Sequence, residues 1–142
     1  MREALPVDHQ IFELLQALHK GIGPKFERCA GVTPTRFRLL HELYLADEIS
    51  QISLQKLLNI DAAAVTRHLR GLEEGGMIAR RNNPDDNRVT LVSLTVQGRE
   101  HIDAYRENNI QFISDLLTGF NEQERAVLAD MLTRLQYNIN RL

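Results

Sequence analysis

Apolar residues recur along this chain at helical spacing, except in one short stretch that is β-branched and reads as a strand. Ile11, Leu14, Leu15, Leu18 and Ile22 share one face of a 3.6-residue repeat, and Asp8 is placed to cap its start. Gly21, Gly23 and Pro24 then interrupt the repeat and predict a kink or a break. Thr33-Pro34 reads as an N-cap with proline at the first helical position. It opens a second helix with Phe37, Leu40 and Tyr44 on its apolar face and Leu39 and Leu43 beside them.

A third helix is expected after Ser50 as N-cap, with Ile52, Leu54, Leu57 and Leu58 supplying a short buried face. Asn59 suits a left-handed terminator, and Asp61 then caps a helix from Ala62 to Glu74 that Gly75-Gly76 closes. Two helices joined by so few residues must turn sharply, which is a helix-turn-helix. Residues 80–88 are rich in turn formers and lie between a strand near Met77 to Arg81 and a β-branched run from Val89 to Thr95, so they predict a hairpin tip. A long helical pattern returns from Val96 to about Leu117, and Gly119 breaks it. Asn121 and Glu124 then have the spacing of a capping box before a last helix through Leu128, Met131, Leu132, Leu135 and Ile139.

The chain has 142 residues, the length of a single domain, with 43% hydrophobic and 25% charged residues, as in an ordinary globular protein. No apolar run approaches the ~20 residues of a membrane span, and the first ten residues lack the order of a signal peptide. With a single cysteine, Cys29, no internal disulfide forms, and a cytoplasmic location is expected. Net charge is −2, which argues against a general nucleic-acid binder. Its distribution matters more: residues 62–92 carry five arginines (Arg67, Arg70, Arg80, Arg81 and Arg88) against four acids.

On the helix from Ala62 to Glu74, the spacing of Val65, Leu69 and Leu72 turns these residues to the core. Ala62, Ala63, Thr66, Arg67 and Arg70 are left on the outer face. Small residues let a helix approach base edges, and Thr66, Arg67 and Arg70 are of types that reach bases or phosphates. A plain solvated face is the alternative. The hairpin adds Arg80 and Arg81 at its base and Arg88 on its returning arm, as a DNA-binding wing would. Asp86 lies two residues from Arg88 on an extended chain and reads as the partner that aims it. A turn with merely solvated charges is the alternative there.

The run Asp86-Asn87-Arg88-Val89-Thr90-Leu91-Val92-Ser93-Leu94-Thr95 is similar to the wing signature of the MarR family, in which Asp, a following Arg and a terminal Leu-Thr recur at this spacing. Gly98 fits as well. Gly31-Val32-Thr33-Pro34-Thr35-Arg36-Phe37 resembles that family's second-helix start. Ala64-Val65-Thr66-Arg67 and the run from Leu72 to Arg80 resemble its recognition helix and exit. The likeness runs in order from about Val7 to Arg141. It implies a mainly α fold with a small β-hairpin wing: a single MarR-like domain over residues 1–142, a winged helix-turn-helix lobe over residues 33–95, and dimerisation helices over residues 7–29 and 96–142. It further implies a transcriptional regulator, a repressor, that binds a pseudo-palindromic operator in double-stranded DNA as a homodimer. A small aromatic or phenolic effector bound between lobe and dimer helices would release it. DNA contacts are then expected from Ala62, Ala63, Thr66, Arg67, Arg70, Arg81 and Arg88.

Leu14 and Leu18 near the start, and Leu128, Met131, Leu132, Leu135 and Ile139 near the end, are more apolar positions than a monomer of this size needs. Packing within one subunit accounts for part of them. Cys29 reads as a structural or tolerated thiol, with a redox-sensing role as the alternative. Cys29, His41 and His101 have no tight metal-ligand spacing, and neither metal nor cofactor is expected. No phosphate loop, nucleophile elbow or HExxH is present, so no catalytic residue is assigned. A winged-helix module that works through protein contacts alone is the reading from another class.

Overall fold

A computed structural model describes residues 5–142. The elements run α1 (Val7–Ala30), α2 (Pro34–Leu45), β1 (Ile49–Ser50), α3 (Gln51–Leu58), α4 (Ala62–Glu74), β2 (Ile78–Asn83), β3 (Asp86–Leu94), α5 (Val96–Leu116) and α6 (Glu122–Arg141). The mainly α architecture with a hairpin wing is the one the sequence predicts. The chain forms two compact units, one closing at Asn109 and one running from Ile110 to Leu142.

The first unit holds the core, built from Leu39, Leu40 and Leu43 of α2, Leu54 of α3, Val65 and Leu69 of α4, and Val92 of β3. Phe26 and Ala30 of α1 and Ile102 of α5 are also buried, so this core draws on residues outside 33–95. Side-chain caps set the helix starts. The Thr33 hydroxyl accepts from the Arg36 N–H at 3.2 Å, the Ser50 hydroxyl from Ser53 at 3.1 Å, and the Asp61 carboxylate from Ala64 at 3.3 Å. Asn59 ends α3 at φ 50°, which Asn tolerates better than most residues. Three residues therefore separate α3 from α4, and the helix-turn-helix is tight.

Several expectations are corrected. Of the kink or break expected at Gly21, Gly23 and Pro24, the break does not occur: α1 runs to Ala30 and ends at Gly31 with φ 82°. One proline costs a helix a single hydrogen bond locally, while burial of Phe26 and Ala30 beyond it holds the last turns in place. Asp8 makes no cap: the helix begins before it, at Val7, with Pro6 at the N-cap position. Ile52 and Leu57 are 55% and 57% exposed, because only Leu54 and Leu58, four residues apart, face the core from so short a helix. The strands also reach further into the turn-rich segment than expected. Asn83 pairs with Asp86, so Pro84 and Asp85 alone make the tip. β1, which is too short to show a period, pairs with β3 through Ile49 and Val92 and gives the antiparallel order β1-β3-β2.

The start of α5 is locked to the base of the wing. The Thr95 hydroxyl donates to the Gly76 carbonyl at 2.6 Å and accepts from the Gly98 N–H at 3.0 Å, while the Thr95 N–H donates to the Met77 carbonyl at 3.1 Å. Gly98 is buried against that same Met77 carbonyl, and a Cβ there would run into it. In the second unit, the Asn121 side chain and Glu124 form the expected capping box at the head of α6. Arg125 donates to the carbonyls of Leu117 and Phe120 at 3.1 and 2.9 Å, tying α6 to the connection that follows α5. Gly119, at φ 88°, makes the reversal.

Gly98→Ala forces helix and strand apart at a backbone contact that no rotamer change relieves. Chemical denaturation should show a loss of about 1–3 kcal/mol, the usual cost of overpacking.

Candidate nucleic-acid interface

α4 is amphipathic in the manner its sequence predicts. Val65, Leu69 and Leu72 are buried, while Ala62, Ala63, Arg67 and Arg70 are exposed. Arg67 and Arg70 form no salt bridge with any described residue. Thr66 is half-buried, and its hydroxyl is engaged within the motif. It donates to the Ala62 carbonyl at 3.0 Å and accepts from the Gln51 side-chain amide at 3.1 Å. Gln51 belongs to this surface although no local pattern marks it, because its partner lies on another helix.

The wing divides its arginines between two tasks. Arg80 donates to both oxygens of Glu73 on α4, at 3.0 and 3.3 Å. Arg81 donates to both oxygens of Glu48, just before β1, at 2.9 and 2.8 Å. The Arg81 guanidinium holds the Glu48 carboxyl below its ordinary 4.5, and that carboxylate raises Arg81 in return. Arg81 is thereby set apart from the other residues read as DNA contacts, since its charge and two of its donors are spent on a strut. Arg88 is different: its side chain is 91% exposed. Within its own strand it forks onto Asp86, Nε donating to Oδ1 at 3.1 Å and Nη2 to Oδ2 at 3.4 Å while the backbone N–H donates to Oδ1 at 3.1 Å, and these bonds keep the Asp86 carboxyl below its usual 3.8. Asp86 thus holds Arg88 from its own strand, with the guanidinium in solvent.

Behind α4, Arg36 of α2 donates from Nε to His68 Nδ1 at 3.4 Å. Its guanidinium lies where a Cβ on Gly71 would be, at 2.5 Å. Burial foremost, then the neighbouring Arg36 and Arg67, push the His68 imidazole below 6.5, which keeps it neutral and able to accept. Arg36 also lines a cavity of about 220 Å³ with Glu27, Val32, Leu40, Leu72, Met77 and Tyr105.

Leu14 and Leu18 of α1 are exposed, as are Met131, Leu132 and Ile139 of α6. Leu128 and Leu135 are half-buried, and α6 has no buried residue. Cys29 is exposed on α1, and the described residues include no group of three His, Cys, Asp or Glu that could hold a metal.

The MarR family profile matches residues 32–90, from just before α2 to within β3. The HTH-type transcriptional regulator YdgJ of Bacillus subtilis is 50% identical over 133 residues, covering 94% of this chain and 81% of that protein. The chain belongs to the MarR family. A probable transcriptional regulator from Pseudomonas aeruginosa has the same fold, with a TM-score of 0.83 at 30% identity over 92% of this chain and 99% of that one. So does a mutant of Escherichia coli MarR complexed with operator DNA, with a TM-score of 0.80 at 24% identity over 89% and 93%. This MarR-family chain is a DNA-binding transcriptional regulator and not an enzyme. No helix among the described residues is long and apolar enough to cross a membrane.

The strut at the wing base makes a titration prediction. A carboxylate held down by an arginine contributes stability above its unfolded value near 4.5, and that contribution is lost as pH falls through the lower folded value. In a carboxyl NMR titration Glu48 should therefore have its midpoint below 4.5, and Arg81→Ala should return it to that value.

Proposed function

We propose that this regulator is a homodimeric repressor that grips a pseudo-palindromic operator with two α4 helices and two wings. On this reading a small aromatic or phenolic compound in the cavity beside Arg36 releases it. The observation that carries the DNA-binding surface is the split among the arginines. Arg67 and Arg70 have no acid paired to them, and Arg88, forked to Asp86 of its own strand, is 91% exposed, while Arg80 and Arg81 tie the wing to acids on other parts of the fold. Ala62, Ala63 and Thr66 leave the leading end of α4 slim enough to enter a major groove. Arg88, held by Asp86, suits a minor groove or the backbone beside it.

A second copy of this chain is the proposed cover for the apolar side chains of α1 and α6. Exposed apolar surface on that scale marks an interaction site, and a twofold axis matches the symmetry of a palindrome. The cavity supports the effector reading through its lining. Val32, Leu40, Leu72 and Met77 offer apolar contact for a single ring, with Glu27, Arg36 and Tyr105 as polar partners.

Polarisation binding to the DNA upstream of the chain's own gene tests the surface. Roughly six to ten phosphate contacts per dimer give a log-log salt slope of about −5 to −9, and a flat response overturns the proposal. Arg88→Ala should weaken specific and non-specific DNA alike. Arg67→Ala should shift half-site preference, at about 1–3 kcal/mol per lost base contact.

For the assembly, sedimentation at micromolar concentration should show a dimer, and a clean 16.3 kDa species overturns it. Charged residues in place of Leu132 and Leu135 should give monomers that bind DNA poorly.

A further inference from the structure

We propose that Thr66 reads DNA through its methyl group and not its hydroxyl, so that the leading end of α4 selects a thymine in each half-site. The inference rests on the placement of α4 in the major groove proposed above. A threonine hydroxyl has one hydrogen to give and two lone pairs. Here the hydrogen goes to the Ala62 carbonyl at 3.0 Å, and the Gln51 amide donates to the oxygen at 3.1 Å. If the Gln51 amide were turned over, its oxygen would take the hydroxyl hydrogen instead, and the donor would still be spent. Thr66 therefore has nothing to give to the acceptors that guanine N7 and O6, adenine N7 or thymine O4 present in the groove, and its hydroxyl keeps only one lone pair with which to accept.

The residues around it reinforce this. Ala62 and Ala63 are exposed and carry only methyl groups. Asp61, ahead of them, spends a carboxylate oxygen on the Ala64 N–H at 3.3 Å. The first turn of α4 thus faces outward with alanine methyls, and free side-chain hydrogen-bond donors begin at Arg67. The group in the major groove that complements a cluster of methyls is the 5-methyl of thymine. Gln51 is then a positioning residue that holds the Thr66 rotamer from the preceding helix.

The test uses the full-length chain and a duplex it selects from a randomised library. Each thymine of the half-site is replaced in turn by uracil, which removes the 5-methyl and nothing else. At one thymine per half-site, uracil should weaken binding about fourfold, and about fourteenfold when both half-sites are changed, the value of one buried methyl each. Thr66→Val keeps the methyl and should keep this discrimination. Thr66→Ser keeps the hydroxyl and should abolish it. Thermal melts of both variants establish that they fold. Discrimination retained in Thr66→Ser, or lost in Thr66→Val, overturns the proposal, as does a duplex in which no uracil matters. If that happens while Arg67→Ala still costs affinity, the methyl reading alone fails. If Arg67→Ala and Arg70→Ala both bind as the parent does, α4 is not the reading helix and the function proposed above fails with it.

Discussion

Burial of Val65, Leu69 and Leu72 is the constraint on which the exposed face of α4, the proposed DNA-binding face, depends. A helix of 13 residues with one apolar stripe has a single rotation about its axis that removes all three from water. Fixing that rotation puts Ala62, Ala63, Arg67 and Arg70 outside together. The tight connection through Asn59 and Asp61 fixes where the helix starts, and Gly71 lets Arg36 lie close against its back. Hydrophobic burial thus sets the orientation, and a handful of polar contacts sets the axial position. The exposed arginines contribute to neither, which leaves them available for DNA.

The wing depends on the same logic carried one element further. A two-stranded ribbon on its own is marginal in water. β1 adds a third strand through two residues, and Thr95 and Gly98 clamp the far end of β3 to the Gly76 and Met77 carbonyls. Between those anchors, Arg80 reaches Glu73 and Arg81 reaches Glu48 across the two sides of the hairpin base. Exposed ion pairs of this kind add little stability singly. Two bidentate forks on one hairpin mainly restrict direction. Arg88 is carried at the end of a lever whose base is held.

Helical periodicity and side-chain caps were legible in the residues: Thr33, Ser50, Asp61 and Asn121 each cap where expected, because capping is local. What was not legible was non-local or a matter of competition. Arg81 looks like any wing arginine until the fold brings Glu48 beside it from 33 residues away. Thr66 bonds the Ala62 carbonyl of its own helix, but its second partner, Gln51, comes from α3. Pro24 reads as a breaker because sequence shows its local cost and not the burial of Phe26 and Ala30 that outweighs it. The exposure of Ile52 and Leu57 follows from how little of an eight-residue helix can face a core.

The charge balance resolves on the same terms. A net charge of −2 argues against affinity for DNA only if charge acts as a sum, and in physiological salt it acts over roughly 8 Å. Within that range Glu48 and Glu73 cancel Arg81 and Arg80, so these four charges contribute nothing to the field over α4. Arg67 and Arg70 are not cancelled, and Arg88 shares its charge with Asp86 while its side chain stays in solvent. Elsewhere acids outnumber bases, as on residues 93–142 with seven acids against five arginines. A uniformly basic surface would hold DNA in many orientations and raise non-specific binding along with specific. On the proposed reading, a small patch without paired acids on a chain of slightly acidic sum would favour DNA at that patch over DNA elsewhere.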